Sequence, residues 1–166
     1  MAARRLLDNG NLGRHQALRW GSAASVTGLH RAKVGIWGYG AIARQYIRLA
    51  RTVGVESFRV CSDYLTSEQA AAENLIQVDL PQLFDASRIV VLLESLTPER
   101  VGRIDAKLLG RLEDGATVIN AARAHLVDET ALLGELRTGR INAILDVYHH
   151  EPLPSDHPLR ALANVI

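Results

Sequence analysis

Between residues 33 and 147 the chain alternates short, mainly apolar runs with longer stretches whose apolar positions recur every three or four residues. The runs occupy 33–37, 57–62, 75–78, 88–93, 116–120 and 141–147. Each has the length of a strand, most are rich in Val and Ile, and Gly, Asp, Asn or Ser bound them, so each predicts a β-strand. The run at 88–93 is apolar from Ile89 onward, the pattern of a strand covered on both faces. The intervening stretches predict helices. One spans 41–52 and is stopped by Gly54, and a short one spans 67–74. A third opens on Asp79-Leu80-Pro81, with proline tolerated in its first turn. One or two turns lie between 98 and 112, with Asp105 as N-cap, and a last helix opens on Asp128-Glu129 and ends at Gly139. Strands alternating with helices give an α/β fold. We expect a Rossmann-type doubly wound parallel sheet in three layers, α/β/α, with strand order 3-2-1-4-5-6. Residues 1–20 read as helical in two pieces broken by Asp8-Asn9-Gly10-Asn11, and 21–28 as a polar linker. The expected organisation is therefore an N-terminal helical stub and linker at 1–30, then one α/β domain at 31–166.

Composition narrows the function classes. The 166 residues suffice for one domain with a real core. Lys+Arg 19 against Asp+Glu 18 gives a net charge of +1, which removes the electrostatic case for nucleic acid or an anionic membrane. The single cysteine, Cys61, rules out an internal disulfide and points to a reducing compartment. No apolar run approaches the ~20 residues of a membrane-spanning helix, and the first residues lack a secretory apolar region. A cytoplasmic protein is expected, and no metal site.

The chemistry starts at the end of the first strand, where Val34-Gly35-Ile36-Trp37 runs into Gly38-x-Gly40-x-x-Ala43 and a helix begins. A strand, a glycine turn and a helix N-terminus together form the arrangement that receives a dinucleotide pyrophosphate. Gly38 allows the tight turn, Gly40 lets the backbone approach the phosphates, and the small Ala43 lets helix pack on strand. Asp63 closes the second strand. An acid there can accept both ribose hydroxyls of an adenosine and repel a 2′-phosphate, which favours NAD, while Arg51 and Arg59 stand nearby and keep NADP open. Two further stretches follow strands five and six: 120–129, containing Arg123, and 146–154, containing Asp146 and Glu151. Both lie at carboxyl ends of strands, where open α/β sheets bind ligands. Arg123 can grip a carboxylate bidentately and polarise a neighbouring carbonyl. Glu151 is an acid of the kind that orients an imidazole and raises its pKa.

Together these residues resemble the NAD-binding domain of the D-isomer-specific 2-hydroxyacid dehydrogenase family. The matching pieces are Val34-Gly-Ile-Trp-Gly-Tyr-Gly-Ala-Ile-Ala43, Leu96-Thr97-Pro98, Val118-Ile-Asn-Ala-Ala-Arg123, Leu126-Val-Asp-Glu129, Leu145-Asp-Val with Glu151-Pro-Leu-Pro154, and His157-Pro-Leu with Asn164-Val-Ile166. The resemblance covers roughly residues 20–166. It implies hydride transfer between NAD(H) and a small 2-hydroxy or 2-keto acid. It implies that Arg123 binds the substrate carboxylate and that Glu151 pairs with a catalytic histidine. It further implies that Asp146 meets the nicotinamide carboxamide, that the N–H groups of Ala41 and Ile42 meet the pyrophosphate, and that Ala121 and Ala122 line the nicotinamide side. A homodimer is implied as well, with the N-terminal stub on a partner subunit.

The chain also departs from the family. The family's histidine follows the Asn-Val-Ile segment in a Thr-Pro-His pattern, and this sequence stops at Ile166. Leu93-Glu94-Ser95 stands where the family commonly has His-x-Pro, and Ala124 where it has glycine. His125, His149, His150 and His157 remain, of which His149 and His150 are expected to be exposed in the turn before Glu151, and His157 to be structural. The expectation is a nucleotide-binding half, truncated and catalytically incomplete alone. The alternative is a stand-alone, non-catalytic NAD-binding or protein-interaction module.

Overall fold

A computed structural model describes residue 29 and residues 31–166. The helical stub and the linker expected before residue 29 lie outside the described residues. Six strands form one all-parallel sheet: β1 Lys33–Trp37, β2 Ser57–Cys61, β3 Ile76–Gln77, β4 Ile89–Leu92, β5 Thr117–Asn120 and β6 Asn142–Leu145. Their order is β3-β2-β1-β4-β5-β6, the doubly wound order expected from the alternation. Five α-helices connect them: α1 Ala41–Thr52, α2 Ser67–Ala72, α3 Leu80–Asp85, α4 Ala106–Leu109 and α5 Glu129–Arg137. Single 3-10 turns lie at Pro98–Arg100, Ala124–Leu126 and Pro158–Ala161.

The period-2 alternation of the strands sorts their side chains into two cores. Val34, Ile36, Phe58, Val60, Ile89 and Val91 pack beneath α1 and α2. Trp37, Val90, Leu92, Val118, Ala143 and Leu145 pack on the other face, beneath α3, α4 and α5. Covering both faces is why β1 and β4 read as continuous apolar runs rather than as alternating ones.

Helix starts follow the expected caps. Asp79, Asp105 and Asp128 each accept a backbone N–H two or three residues into their helices, from Gln82, Leu108 and Ala131. The capping box of Thr66 with Gln69 at the start of α2 was not foreseen. β1 matches its expected bounds, and the other five strands are shorter than the runs predicted by one to three residues, because ladder pairing stops before the run does. The helix expected at 67–74 ends at Ala72, where Asn74 turns left-handed at φ 49°.

Register matters most for the site. Trp37 pairs with both Cys61 and Leu92, Leu92 with Asn120, and Asn120 with Leu145. Cys61, Trp37, Leu92, Asn120 and Leu145 thus form one row across the carboxyl edge of the sheet. Past Ala143 and Leu145, residues 164–166 run parallel to β6. The N–H groups of Ala143 and Leu145 donate to the carbonyls of Asn164 and Ile166 at 2.9 and 2.8 Å, and the N–H of Ile166 returns to Ala143 at 3.0 Å.

Candidate dinucleotide and substrate site

Everything the sequence singled out for chemistry leaves the sheet from that one row. Gly38 follows Trp37 and donates its N–H to the Cys61 carbonyl at 2.9 Å. Its φ is 102°, and a Cβ there would lie 2.7 Å from the Leu93 carbonyl carbon and oxygen, so backbone crosses backbone and only glycine fits. Gly40 differs. A Cβ on it would meet no protein atom within 4 Å. The space before it is open, a cradle that a ligand can enter and a side chain would fill. Gly40 is the N-cap of α1, no side chain caps that helix, and its first turn carries no acid. The N–H groups of Ala41 and Ile42, residues whose side chains are exposed, belong to this uncapped turn and suit an anion. Ala43 is buried against the β1 core, the close packing expected of it.

Tyr39, between the two glycines, fastens the loop to the far end of α2. Its hydroxyl donates to Glu73 Oε1 at 2.6 Å, and the Arg44 guanidinium lies 5.8 Å from its ring centre. Burial first, and then the hydrogen bond and charge of Glu73, push the Tyr39 pKa up to about 12.

At the next strand end, Asp63 projects an exposed carboxylate beside an open cleft of about 790 Å³. Trp37, Cys61, Asp79, Pro81 and Arg103 are among its walls. The Cys61 thiol is pushed up to about 11 by burial and by the charges of Asp63, Asp79 and Glu94. Neither cation suspected from sequence position is the partner of Asp63. Arg51 donates to the Glu73 carbonyl and lies over the Phe58 ring at 5.6 Å, while Arg59 is half-buried, with one terminal nitrogen lacking a hydrogen-bond partner. The partner is Arg100, at 3.0 Å, which is also 3.4 Å from the buried Glu94. Arg100 lies 37 residues from Asp63 in sequence, so only the adjacency of β1 to both β2 and β4 could have announced the pair.

At the other end of the row, Asn120 is buried and organises the loop after β5. Its Oδ1 accepts the Ala122 N–H at 3.1 Å and its Nδ2 donates to the Arg123 carbonyl at 3.0 Å. Its own carbonyl accepts the Asp146 N–H at 3.0 Å, joining the exits of β5 and β6. Ala121 is exposed at the rim. The Arg123 guanidinium is exposed and donates to the Ala122 carbonyl at 2.7 Å. Asp146 is exposed too. Glu151 Oε1 accepts the Tyr148 N–H at 2.9 Å and closes the turn before the cis Glu151–Pro152 bond.

Of the histidines, His149 departs from expectation, while His150 and His157 follow it. His149 is half-buried rather than exposed: its Nε2 is 3.1 Å from the Val127 carbonyl, and its ring centre is 4.6 Å from that of His125. The loop folds His149 back over the turn before α5, a contact distant in sequence. His150 is exposed. His157 caps the last 3-10 turn, accepting the Leu159 N–H at 3.3 Å, and its Nε2 is 3.3 Å from Glu129. Among the described residues no cluster of three His, Cys, Asp or Glu could hold a metal ion, and no helix is long and apolar enough to cross a membrane.

Comparison with known proteins points to one family. The family model "D-isomer specific 2-hydroxyacid dehydrogenase, NAD binding domain" matches residues 1–166. A glyoxylate reductase/hydroxypyruvate reductase of Homo sapiens is 34% identical over 140 residues, 84% of this chain and 43% of that protein. A D-3-phosphoglycerate dehydrogenase of Synechocystis is 30% identical over 141 residues, 84% of this chain and 25% of that protein. Among solved structures, a D-isomer specific 2-hydroxyacid dehydrogenase from Xanthobacter autotrophicus Py2, in complex with NADPH and MES, aligns with a TM-score of 0.81 at 33% identity, over 99% of this chain and 52% of that one. The chain thus spans about half or less of the length of the relatives it matches.

Proposed function

The chain belongs to the D-isomer-specific 2-hydroxyacid dehydrogenase family as its NAD-binding domain, and from that premise we propose that it supplies the cofactor half of a site transferring hydride between NAD(H) and a small 2-hydroxy or 2-keto acid. The observation that carries the reading is the single row at the carboxyl edge of the sheet. From it issue the glycine turn, Asp63, Arg123 and Asp146, and parallel strands put all four on one side of the molecule. The open space before Gly40 and the uncapped N-terminus of α1 fit a pyrophosphate, and the cleft beside Asp63 fits an adenosine.

When bound, the nicotinamide donates or accepts the hydride. The chain's own residues have separate tasks. The main-chain N–H groups of Ala41 and Ile42 hold the diphosphate at the open Gly40 turn, and Asp63 accepts the ribose hydroxyls. Ala121 and Ala122 leave room at the nicotinamide side, where Asp146 accepts from the carboxamide. Arg123 holds the substrate carboxylate and polarises the carbonyl to be reduced. Glu151 serves as the acid that orients a catalytic imidazole. NAD(H) is the cofactor that Asp63 favours, and the NADPH complex of the Xanthobacter relative keeps NADP(H) in view. In this reading residues 31–166 form the dinucleotide-binding domain, the protein is cytoplasmic, and it works as a homodimer.

NADH fluorescence titration tests the proposal. We expect saturable binding that Gly40→Leu abolishes. No saturable signal up to millimolar NADH would defeat the reading.

A further inference from the structure

Arg100 joins two carboxylates of unlike character. Its Nη2 is 3.0 Å from Asp63 Oδ2, its Nη1 is 3.4 Å from Glu94 Oε1, and Nη1 also donates to the Ser95 carbonyl at 3.5 Å. Glu94 is buried, and its Oε1 accepts the Ser95 N–H at 2.8 Å, so this end of the link is fixed. The Asp63 side chain is 84% exposed against 18% for Arg100, so the other end is free to turn into water. An acid at this place rejects a 2′-phosphate only as far as its charge is uncompensated, and a guanidinium at 3.0 Å compensates it. Asp63 makes its half of the pair from solvent while Glu94 still neutralises Arg100, so Asp63 can be released at small cost. Arg100, held at Nη1 by Glu94 and the Ser95 carbonyl, would then present Nη2 to the cleft as a charged donor for a phosphate oxygen. Arg103 lines the same cleft as a second cation, and Asp79 and Glu99 line it as opposing charges. The balance lets a phosphate in without making one necessary.

We propose that Arg100 is the specificity-determining residue of the adenosine-ribose subsite and lets it take either a free 2′-hydroxyl or a 2′-phosphate. Asp63 accepts the hydroxyls of NAD(H), and Arg100 pairs with the phosphate of NADP(H) once Asp63 swings to solvent. This rests on the reading that the domain binds a nicotinamide dinucleotide.

The test is parallel titration of the 166-residue chain with NADH and NADPH, followed by fluorescence. The two dissociation constants of the unsubstituted chain should agree to within about tenfold, and only the NADPH affinity should fall steeply with added salt. Arg100→Met should raise the NADPH-to-NADH ratio of dissociation constants by about tenfold or more, and Arg100→Lys should restore most of the NADPH affinity. NADH binding with NADPH more than about tenfold weaker in the unsubstituted chain would overturn this inference and leave the cofactor reading standing. A ratio unmoved by Arg100→Met would overturn it too, by showing a merely structural arginine. Binding of neither dinucleotide would overturn both.

Discussion

Asn120 and Arg123 are tied by one buried amide: the Asn120 side chain donates to the Arg123 carbonyl at 3.0 Å while accepting the N–H of Ala122 between them. The guanidinium of Arg123 is exposed, so its aim comes from its backbone, and that backbone is set by Asn120. Replacing Asn120 with Ala removes both bonds and leaves part-buried main-chain groups unpaired, which should cost about 1–3 kcal/mol in chemical denaturation. Asn120→Asp keeps the acceptor but turns a carboxylate oxygen onto the Arg123 carbonyl in a buried place, and should cost at least as much as Ala. Equal stability of all three would refute the role assigned to Asn120.

The two glycines of the turn should respond oppositely to the same change. Gly38→Ala drives a Cβ against the Leu93 carbonyl at a left-handed φ, and should destabilise the fold by about 2–4 kcal/mol. Gly40→Ala meets only open space and should leave thermal stability almost unchanged while weakening NADH binding by about tenfold or more. Melting curves and titrations on the same samples check both halves.

Alkaline pH should weaken the fold from a defined point. Burial raises the Cys61 pKa from 9.0 to about 11 and the Tyr39 pKa from 10.0 to about 12. The folded chain therefore keeps protons that the unfolded chain releases. The stability linked to them is whole below pH 9 and is lost as pH rises through 11 and 12. Tyr39→Phe should flatten the upper part of that loss. It should also cost about 1–2 kcal/mol at neutral pH through the lost bond to Glu73. A melting temperature independent of pH between 8 and 12 would contradict the assignment.

Cys61 should also report on the cleft. With its pKa near 11 it should alkylate with iodoacetamide far more slowly at pH 8 than a free thiol, by about a hundredfold in thiolate fraction. Because it lines the cleft beside Asp63, NADH or 5′-AMP should slow that reaction further, read by intact mass. Alkylation unaffected by either nucleotide would place the adenosine elsewhere.

The sheet was legible in the sequence because both its faces are covered, which leaves apolar runs such as 89–93 with nothing polar to blur them. The helix starts were legible at Asp79, Asp105 and Asp128 because capping is local. What escaped was contact across the sheet order. The Asp63–Arg100 pair spans two loops brought together only because β1 lies between β2 and β4, and nearness in sequence pointed instead to Arg51 and Arg59. The His125–His149 contact was hidden in the same way. Site residues could be named from their places after strands, but their partners depended on register, which no run of apolar residues encodes.

The margins of the sheet have a consequence for how this protein keeps company. β3 offers only two residues of ladder, too few to recruit a foreign strand, and the outer N–H groups of β6 at Ala143 and Leu145 are occupied by the carbonyls of Asn164 and Ile166. Among the described residues a neighbouring chain therefore finds no long row of idle donors at either margin of the sheet to zip onto. If residues 164–166 peel away, as on gentle heating, β6 becomes the template from which clumping would start.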